Sequence, residues 1–213
     1  MTLQSTRSGE KGPTAVAAPG LAALLAEGAL ALIPTDTLPA VAALPRFASR
    51  IWNLKQRPAA KPLILMGADF DQLQVVLGLS WREEWLDLAR SGWPGALTLV
   101  LPAVGDGVEL LHPGGTSLGL RIPACELCRD LLRLTGPLAT TSANPSGMAP
   151  ARDAGEAHQY FPELPLLAPL PWPAASGRAS TVLAWRQPPE DQPAAACWQV
   201  LRAGAALPHD LLI

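Results

Sequence analysis

An apolar run leads directly into a polar loop in the segment Ala29-Leu30-Ala31-Leu32-Ile33-Pro34-Thr35-Asp36-Thr37. Short apolar runs bounded by turn residues are typical of buried strands, so Ala29–Ile33 is predicted to be one. Loops at the ends of strands are where α/β proteins place their ligands, which makes Thr35 and its neighbours candidates for a binding site. A proline turn closed by an Asx or Ser/Thr motif is the competing interpretation.

Strand and helix patterns alternate along the remaining chain, which indicates an α/β fold. The other predicted strands are Leu63–Met66, Leu97–Leu101, Leu118–Ile122, Leu138–Thr141, Ser180–Trp185 and Trp198–Leu201, of which the last two are expected to close the sheet. The predicted helices are Pro19–Glu27, Phe47–Leu54, Trp81–Arg90, Cys125–Leu134 and Asp153–Tyr160. Residues 1–213 are predicted to form one domain, with 1–12 as a flexible tail and with 162–173 and 187–196 as surface loops.

The composition is that of a folded domain with few charges. The 213 residues are 49% hydrophobic and 16% charged, and the formal net charge is −2. Disordered chains combine low hydrophobicity with high net charge, so disorder is excluded. Domains that bind nucleic acid by charge usually carry a basic excess, which this chain lacks. The apolar stretch ending at Ala26 is interrupted by Glu27, short of the ~20 residues that a membrane span requires, so no membrane association is expected.

The cysteine content points to a reducing compartment. Three cysteines, an odd number, do not form the disulfide framework of a secreted domain, so a cytoplasmic location is predicted. Cys125 and Cys128 form a C-x-x-C pair, which is compatible with a redox motif or with half of a zinc site. Cys197 and the histidines are too scattered to complete such a site. Ordinary thiols at the start of a helix are the favoured interpretation, and no metal-ligating residues are predicted.

A cationic cluster follows the second predicted helix, in the segment Lys55-Gln56-Arg57-Pro58-Ala59-Ala60-Lys61-Pro62. Its three cations have no acid between them and repel one another unless solvent or an anion separates them. A solvated surface is one interpretation. The prolines stiffen the segment, however, and a rigid loop with one guanidinium and two ammonium groups suits a polyphosphate.

Small hydroxyl and amide side chains crowd the segment Thr140-Thr141-Ser142-Ala143-Asn144-Pro145-Ser146-Gly147, between a predicted strand and a predicted helix. Such a loop can bind an anion or a nucleotide, or it can be an ordinary Ser/Asn turn. The chain contains no Walker loop, no G-x-G-x-x-G, no G-x-S-x-G and no H-E-x-x-H motif. Without an activated nucleophile, the clusters favour a mechanism that positions substrates and neutralises charge.

Motifs recur in a characteristic order along most of the chain, from about Pro19 to Ala205. They are P-T-D-T at Pro34–Thr37, K-x-R with K-P-L at Lys55–Leu63, W-P-G-A-L-T-L-V-L at Trp93–Leu101, R-I-P at Arg121–Pro123, T-S-A-N-P-S-G at Thr141–Gly147, S-G-x-x-S-T at Ser176–Thr181 and L-R-x-G at Leu201–Gly204. In this order the sequence resembles the YrdC family.

The resemblance implies an α/β fold with a twisted mixed sheet and flanking helices around a concave, positively charged cavity. It also implies an L-threonylcarbamoyladenylate synthase, a nucleotidyltransferase that joins L-threonine, bicarbonate and ATP, with Mg²⁺, into threonylcarbamoyl-AMP and pyrophosphate. That product serves threonylcarbamoyladenosine modification of tRNA, so tRNA-modification proteins are expected partners. Threonine carbamate carries its own carboxylate nucleophile, which agrees with the missing catalytic Ser or Cys.

The resemblance assigns roles to the polar residues of these motifs. It implies that Lys55, Arg57, Ser142 and Asn144 are catalytic; that Arg57, Lys61, Ser117, Asn144, Arg152 and Arg202 bind ATP; and that Thr35, Arg121, Ser142 and Ser180 bind threonine. Within this set, the Arg121 guanidinium is expected to pair with the threonine carboxylate in a bidentate manner.

The chain departs from the family pattern at its first motif, where Leu38-Pro39-Ala40 stands in place of the usual Tyr-Gly. Met66 and Ala184 replace a histidine and an aspartate found in some relatives. These changes keep an alternative open, namely a YciO-like divergent paralogue that binds tRNA, double-stranded RNA or a nucleotide without this synthesis. The weak overall charge argues against RNA binding, because phosphate contacts need a basic surface.

Overall fold

One mixed sheet organises the part of the chain that the computed structural model describes, which is residues 14–58, 60–187 and 198–207. Its strands are β1 (Ala15–Val16), β2 (Ala31–Ile33), β3 (Ala40–Ala43), β4 (Ile64–Met66), β5 (Leu97–Pro102), β6 (Ser117–Arg121), β7 (Leu138–Ser142), β8 (Leu166–Leu167), β9 (Thr181–Trp185) and β10 (Trp198–Arg202). The helices are α1 (Ala18–Ala26), α2 (Ser49–Lys55), α3 (Phe70–Leu77), α4 (Glu83–Gly92), α5 (Asp106–Leu111), α6 (Glu126–Thr135) and α7 (Ala154–Tyr160).

The strand order is β1-β8-β2-β3-β7-β4-β6-β5-β9-β10. The sheet mixes parallel pairs (β1–β8, β2–β8, β4–β6, β5–β9) with antiparallel ones, and β9 and β10 pair at one end of the strand order, where the sequence predicts that they close the sheet. The α/β class and the mixed sheet with flanking helices are therefore confirmed.

Two apolar cores lie on opposite faces of the sheet, because successive strand residues point to opposite sides. The larger core joins α2, α3, α4, α5 and α7 to residues such as Leu32 and Val41. The smaller core joins α1 and α6 to their strand neighbours Ile33 and Ala40. Helices thus cover the whole of one face and only part of the other.

The partly covered face carries a row of neighbouring strand positions, Ile64, Gly119, Val100 and Ala184, on β4, β6, β5 and β9. These residues line an open cavity instead of packing beneath a helix. The end of β7 at Ser142 pairs with Ala40 at the start of β3, next to this row. The fold therefore leaves a bare strip of sheet beside the polar loops.

One predicted surface loop is wrong in part. Residues 162–173 contain β8, whose two leucines are fully buried between β1 and β2. The parallel partners of β8 lie far away in the sequence, and prolines flank it. The local sequence pattern is therefore that of a loop. Of the second loop, 187–196, only Gln187 belongs to the described residues, and the predicted tail 1–12 lies outside them.

The other predicted elements exist with ends shifted by one or two residues, but β1, β3, α3 and α5 were not predicted. The start of α3 carries a recognisable signal, since the Asp69 carboxylate accepts a hydrogen bond from Gln72 N at 3.0 Å and caps the helix. Strand β3 is the run Ala-Val-Ala-Ala, whose alanines have low strand propensity. Within the described chain, no helix is long and apolar enough to cross a membrane.

Candidate active site

A cavity of about 260 Å³ opens where the loop after β2, the end of β7 and the start of β9 meet. We call it the central cavity. Six of the residues expected in the site line it, namely Arg57, Arg121, Ser142, Asn144, Ser180 and Arg202. Leu38, Pro39 and Ala40 form part of its wall, together with Met66. The departures from the family pattern therefore give this cavity an apolar side.

A second cavity of about 400 Å³ lies on the bare strip of sheet beside the first, and we call it the adjoining cavity. Lys61 and Ser117, both expected at ATP, line it. Arg57, Pro62 and Ile64 line both cavities. Arg57 thus lies on the wall where the two spaces meet.

Three expected site residues lie outside both cavities. Thr35 and Arg152 line a separate pocket beside Trp172, and Pro39 lies between this pocket and the central cavity. Lys55 is buried behind the central cavity and contacts the end of β7. The structure therefore does not bring these three side chains together with the eight predicted site residues that line the two cavities, and their direct contact with a ligand stays a prediction.

Arg121 is the most completely held cation of the site, and only 3% of it is exposed. Its Nη2 donates to Asp36 Oδ1 at 2.7 Å, its Nη1 to Thr37 Oγ1 at 2.8 Å, and its Nε to Gly95 O at 3.0 Å. Burial lowers the pKa of the guanidinium, and the Asp36 carboxylate opposes that shift. Three of its five N–H donors are occupied, which leaves one each on Nη1 and Nη2.

The hydroxyl of Thr35 is used entirely within its own loop. It donates to Leu38 O at 2.8 Å and accepts from Thr37 N at 3.0 Å and Leu38 N at 3.1 Å. Thr37 Oγ1 lies 2.9 Å from Thr35 Oγ1 and accepts from Arg121, so a chain of hydrogen bonds runs from the guanidinium into the loop. Thr37, not Thr35, is the residue of this pair that lines the central cavity.

Backbone hydrogen bonds from residues outside the P-T-D-T loop also hold it in place. Ser176 N donates to Asp36 O at 2.9 Å, and Gly177 N donates to Thr37 O at 3.0 Å. The S-G element of the sixth motif therefore holds the first motif, and the W-P-G element holds Arg121 through the Gly95 carbonyl. Motifs that are distant in the sequence therefore hold the side chain of Arg121 in place.

Lys55 supports Ser142 from behind. Its Nζ donates to Ser142 O and lies 3.4 Å from Thr141 Oγ1. Burial, and secondarily the charge of Arg57, lower the pKa of Lys55 to about 8. Ser142 Oγ in turn donates to Asn144 Oδ1 at 2.6 Å, and Asn144 Nδ2 donates to two carbonyls of its own turn. This arrangement fixes the Ser142 hydroxyl at the cavity wall.

Arg202 reaches the central cavity because β10 contains a bulge. Val200 pairs with Leu183 and Arg202 with Val182, so one residue is left over between them, which re-aims the arginine. Arg202 Nε donates to Ser180 O at 3.0 Å and Nη2 to Ser180 Oγ at 3.2 Å, while Thr98 Oγ1 lies 2.8 Å from the same hydroxyl. Burial and the charge of Arg121 lower the pKa of Arg202.

Arg57 is tied to the loop that carries Lys61. Its Nε donates to Lys61 O at 3.3 Å and its Nη2 to Pro62 O at 3.0 Å. Burial lowers the pKa of this guanidinium as well. The remaining N–H donors of Arg57 are available at the junction of the two cavities.

The described residues do not form a site that could hold a metal ion through several protein ligands. No group of three or more His, Cys, Asp or Glu that could hold a metal ion occurs in the described residues, and no described carboxylate lines either cavity. Cys125 and Cys128 are buried free thiols, and burial raises the pKa of both. Raised pKa values keep these groups protonated, as inert structural thiols are.

Three residues of the site have no predicted role: Asp36 and Thr37 of the P-T-D-T motif, and His112, which lines the adjoining cavity. The T-D-T motif is itself the missed signal, since an acid between two hydroxyl residues is a natural partner for a buried arginine. Gly95 acts through its carbonyl, which no side-chain pattern reveals.

The strand order and the two neighbouring cavities define the class of this protein. It is an α/β protein whose polar motifs surround a strip of the mixed sheet that no helix covers. The family model of Sua5/YciO/YrdC, described as telomere recombination, matches residues 23–204. The chain belongs to this family, which confirms the resemblance expected from the motifs.

Several relatives share substantial identity with this chain. The threonylcarbamoyl-AMP synthase of Halorhodospira halophila is 35% identical over 144 residues, which are 66% of this chain and 75% of that protein. The synthase of Stutzerimonas stutzeri is 39% identical over 114 residues, which are 54% of this chain and 61% of that protein. The match thus spans less than two thirds of the latter relative.

Solved structures give the same placement. The H234A/Y235A variant of P. abyssi Sua5 is 32% identical with a TM-score of 0.77, over 88% of this chain and 53% of that one. P. abyssi Sua5 complexed with L-threonine is 32% identical with a TM-score of 0.73, over 78% of this chain and 50% of that one. E. coli YciO, at 18% identity and a TM-score of 0.75, shows the shared fold alone.

Proposed function

We propose that this chain is an L-threonylcarbamoyladenylate synthase, a nucleotidyltransferase that forms threonylcarbamoyl-AMP and pyrophosphate from L-threonine, bicarbonate and ATP. The proposal rests on the position of Arg57 on the wall shared by the two cavities, because the reaction joins the carbamate of threonine to ATP at the α-phosphorus. Relatives named for this activity, and the threonine complex of P. abyssi Sua5, support it.

Threonine occupies the central cavity in this proposal. The two free N–H donors of Arg121, one on each Nη atom, present the bidentate pattern that a carboxylate accepts. Ser142 and Ser180 line the same cavity and supply hydroxyl groups to the rest of the amino acid. Leu38, Pro39 and Met66 provide an apolar side against which a methyl group can pack.

ATP places its α-phosphate at Arg57 and its remaining phosphates toward Lys61 and Ser117. Mg²⁺ enters with ATP as part of the substrate, because no described carboxylate lines the cavities and Mg²⁺ readily takes phosphate oxygens and water as ligands. Arg202 extends the positive charge at the far side of the central cavity.

The chemistry needs no protein nucleophile. The threonine amine and bicarbonate form a carbamate and release water; a carbamate oxygen attacks the α-phosphorus, and the bond to the pyrophosphate oxygen breaks. The nucleophile belongs to the substrate, so the protein contributes position and charge neutralisation. Lys55 acts from behind by holding the Ser142 carbonyl, and Asn144 acts by orienting the Ser142 hydroxyl.

In the cell we propose a cytoplasmic enzyme whose product is handed to proteins that modify tRNA. The decisive experiment incubates the chain with ATP, Mg²⁺, L-threonine and bicarbonate, and follows pyrophosphate release and threonylcarbamoyl-AMP by mass spectrometry. Omission of threonine or bicarbonate should abolish both products. Folded protein that forms neither product would overturn the proposal, and salt-sensitive tRNA binding without ATP binding would instead favour the YciO-like alternative.

A further inference from the structure

The adjoining cavity contains an imidazole that the proposed function has not used. His112 lines it together with Arg57 and Lys61, and Arg186 lies on the same wall. Among the described residues that line it, none is a carboxylate and none is Phe, Tyr or Trp. The floor is the aliphatic strip of sheet that includes Val100 and Val182. The cavity therefore combines basic side chains with a floor that offers no stacking partner for a base.

The ring of His112 has a fixed orientation. Its Nδ1 lies 2.9 Å from Ser117 O, and because a carbonyl can only accept, Nδ1 carries the hydrogen. A Cβ atom at Gly115 would lie 2.3 Å from the same Nδ1, so any side chain at position 115 would force the ring to shift. The hydrogen bond from Nδ1 is the only one that the His112 ring makes within the described chain. The loop from His112 to Ser117 thus immobilises the ring and leaves Nε2 for a ligand.

In-line displacement puts the nucleophile and the leaving group on opposite sides of the phosphorus. If the carbamate lies in the central cavity and the α-phosphate at Arg57, the leaving phosphates extend away from the central cavity. The adjoining cavity is the space on the other side of Arg57. Its basic wall matches the charge that develops on the departing oxygen.

We propose that His112 is a further binding residue, whose Nε2 donates to the two phosphates that leave as pyrophosphate. The proposal rests on the proposed function, since it takes its direction from the attack at Arg57. The imidazolium form donates from both nitrogens, so one N–H serves Ser117 O and the other serves the anion. Gly115 is a positioning residue that permits this placement.

The test measures binding of inorganic pyrophosphate and, separately, of AMP by isothermal titration calorimetry. In His112→Asn the amide can still donate to Ser117 O, but it lacks an atom at the place of Nε2. We expect its pyrophosphate dissociation constant to rise about tenfold, as loss of a hydrogen bond to a charged group does. His112→Gln carries an amide nitrogen near the place of Nε2 and should recover part of that loss.

Two further variants complete the design. Gly115→Ala displaces the ring without touching the ligand and should weaken pyrophosphate binding to a similar extent. Arg90→Gln, an exposed arginine of α4 that pairs with Glu83, should leave it unchanged. AMP lacks the leaving phosphates, so its affinity should be the same in all four variants. Thermal unfolding of each variant checks that the protein is folded.

The outcomes separate this inference from the proposed function. Unchanged pyrophosphate affinity in His112→Asn overturns the inference, as does a loss of AMP affinity alone, which would place adenosine in the adjoining cavity. If the wild-type protein makes threonylcarbamoyl-AMP and both His112 variants bind pyrophosphate as tightly as the wild type, the inference alone is overturned. A chain that makes no product, yet binds pyrophosphate through His112, overturns the proposed function and leaves the anion site supported.

Discussion

Arg121 Nη2 lies 2.7 Å from Asp36 Oδ1, and the same carboxylate oxygen accepts from Ala124 N at 2.9 Å. The guanidinium is 3% exposed and the carboxylate 19%, so the pair is held away from most solvent. Removal of one partner from a buried pair leaves the other charge uncompensated, which costs far more than the loss of a surface ion pair. Under the proposed function, Asp36 therefore acts on the threonine carboxylate through Arg121.

Asp36→Asn should lower the free energy of unfolding by about 3 kcal/mol, because Arg121 loses its counter-charge. It should also raise the dissociation constant of L-threonine by about tenfold or more, while that of ATP changes little. Denaturant unfolding and calorimetry measure the two effects. Asp87→Asn removes an exposed partner of Arg90 and should change stability by less than about 1 kcal/mol. Equal effects in both variants would contradict the positioning role of Asp36.

Arg57→Gln should reduce the rate of threonylcarbamoyl-AMP formation by about 10²–10³-fold, as loss of a charge partner in the transition state does. Arg57 is half-buried and bonds only to carbonyls of its own loop, so the fold should persist. Pyrophosphate release in the complete reaction measures the rate, and circular dichroism checks the fold. Near-normal turnover would remove Arg57 from the site.

Lys55 should titrate with a midpoint near 8, below its ordinary value of 10.5, because burial disfavours the ammonium. The sequence has three lysines, Lys11, Lys55 and Lys61, so NMR of isotope-labelled lysine side chains can resolve the shifted one by comparison with Lys55→Met. A midpoint near 10.5 for every lysine would contradict the burial of this amine.

The same shift has a defined effect on stability. Below pH 8 Lys55 is protonated in both states, and the folded state bears the cost of burying the charge. Between pH 8 and 10.5 the folded state loses the proton first, so that cost disappears. The free energy of unfolding of the wild type, measured against Lys55→Met, should therefore rise over this range by up to about 2 kcal/mol.

Gly204→Ala should disrupt the support of Arg202. A Cβ at Gly204 would lie 2.3 Å from Ala179 O and 2.4 Å from Thr181 N, both backbone atoms that cannot move aside cheaply. We expect a destabilisation of about 2 kcal/mol, together with weaker ATP binding. Gly155→Ala meets only a side-chain oxygen of Asp153, at 3.3 Å, and should be close to neutral. Denaturant unfolding compares the two.

The sequence predicts the polar clusters and the α/β class because both depend on local pattern. It does not predict β8, whose buried leucines are recognisable only through their distant partners β1 and β2. The resemblance assigns threonine binding to Thr35, and the sequence does not reveal that Thr37 is the one that lines the central cavity, because that depends on its contact with Arg121 across the fold. Lys55 lies behind the wall for a similar reason, since the end of β7 offers its carbonyl there.

Because Arg57 lines both cavities, it should couple the binding of anions in one cavity to their binding in the other. One guanidinium cannot compensate two anions as fully as it compensates one, so an anion in the adjoining cavity weakens the hold on an anion in the central cavity. Thermodynamic linkage makes this antagonism reciprocal. Threonylcarbamoyl-AMP in the central cavity weakens the binding of pyrophosphate in the adjoining cavity by the same factor. Each product of the proposed reaction therefore promotes the release of the other, through a single side chain.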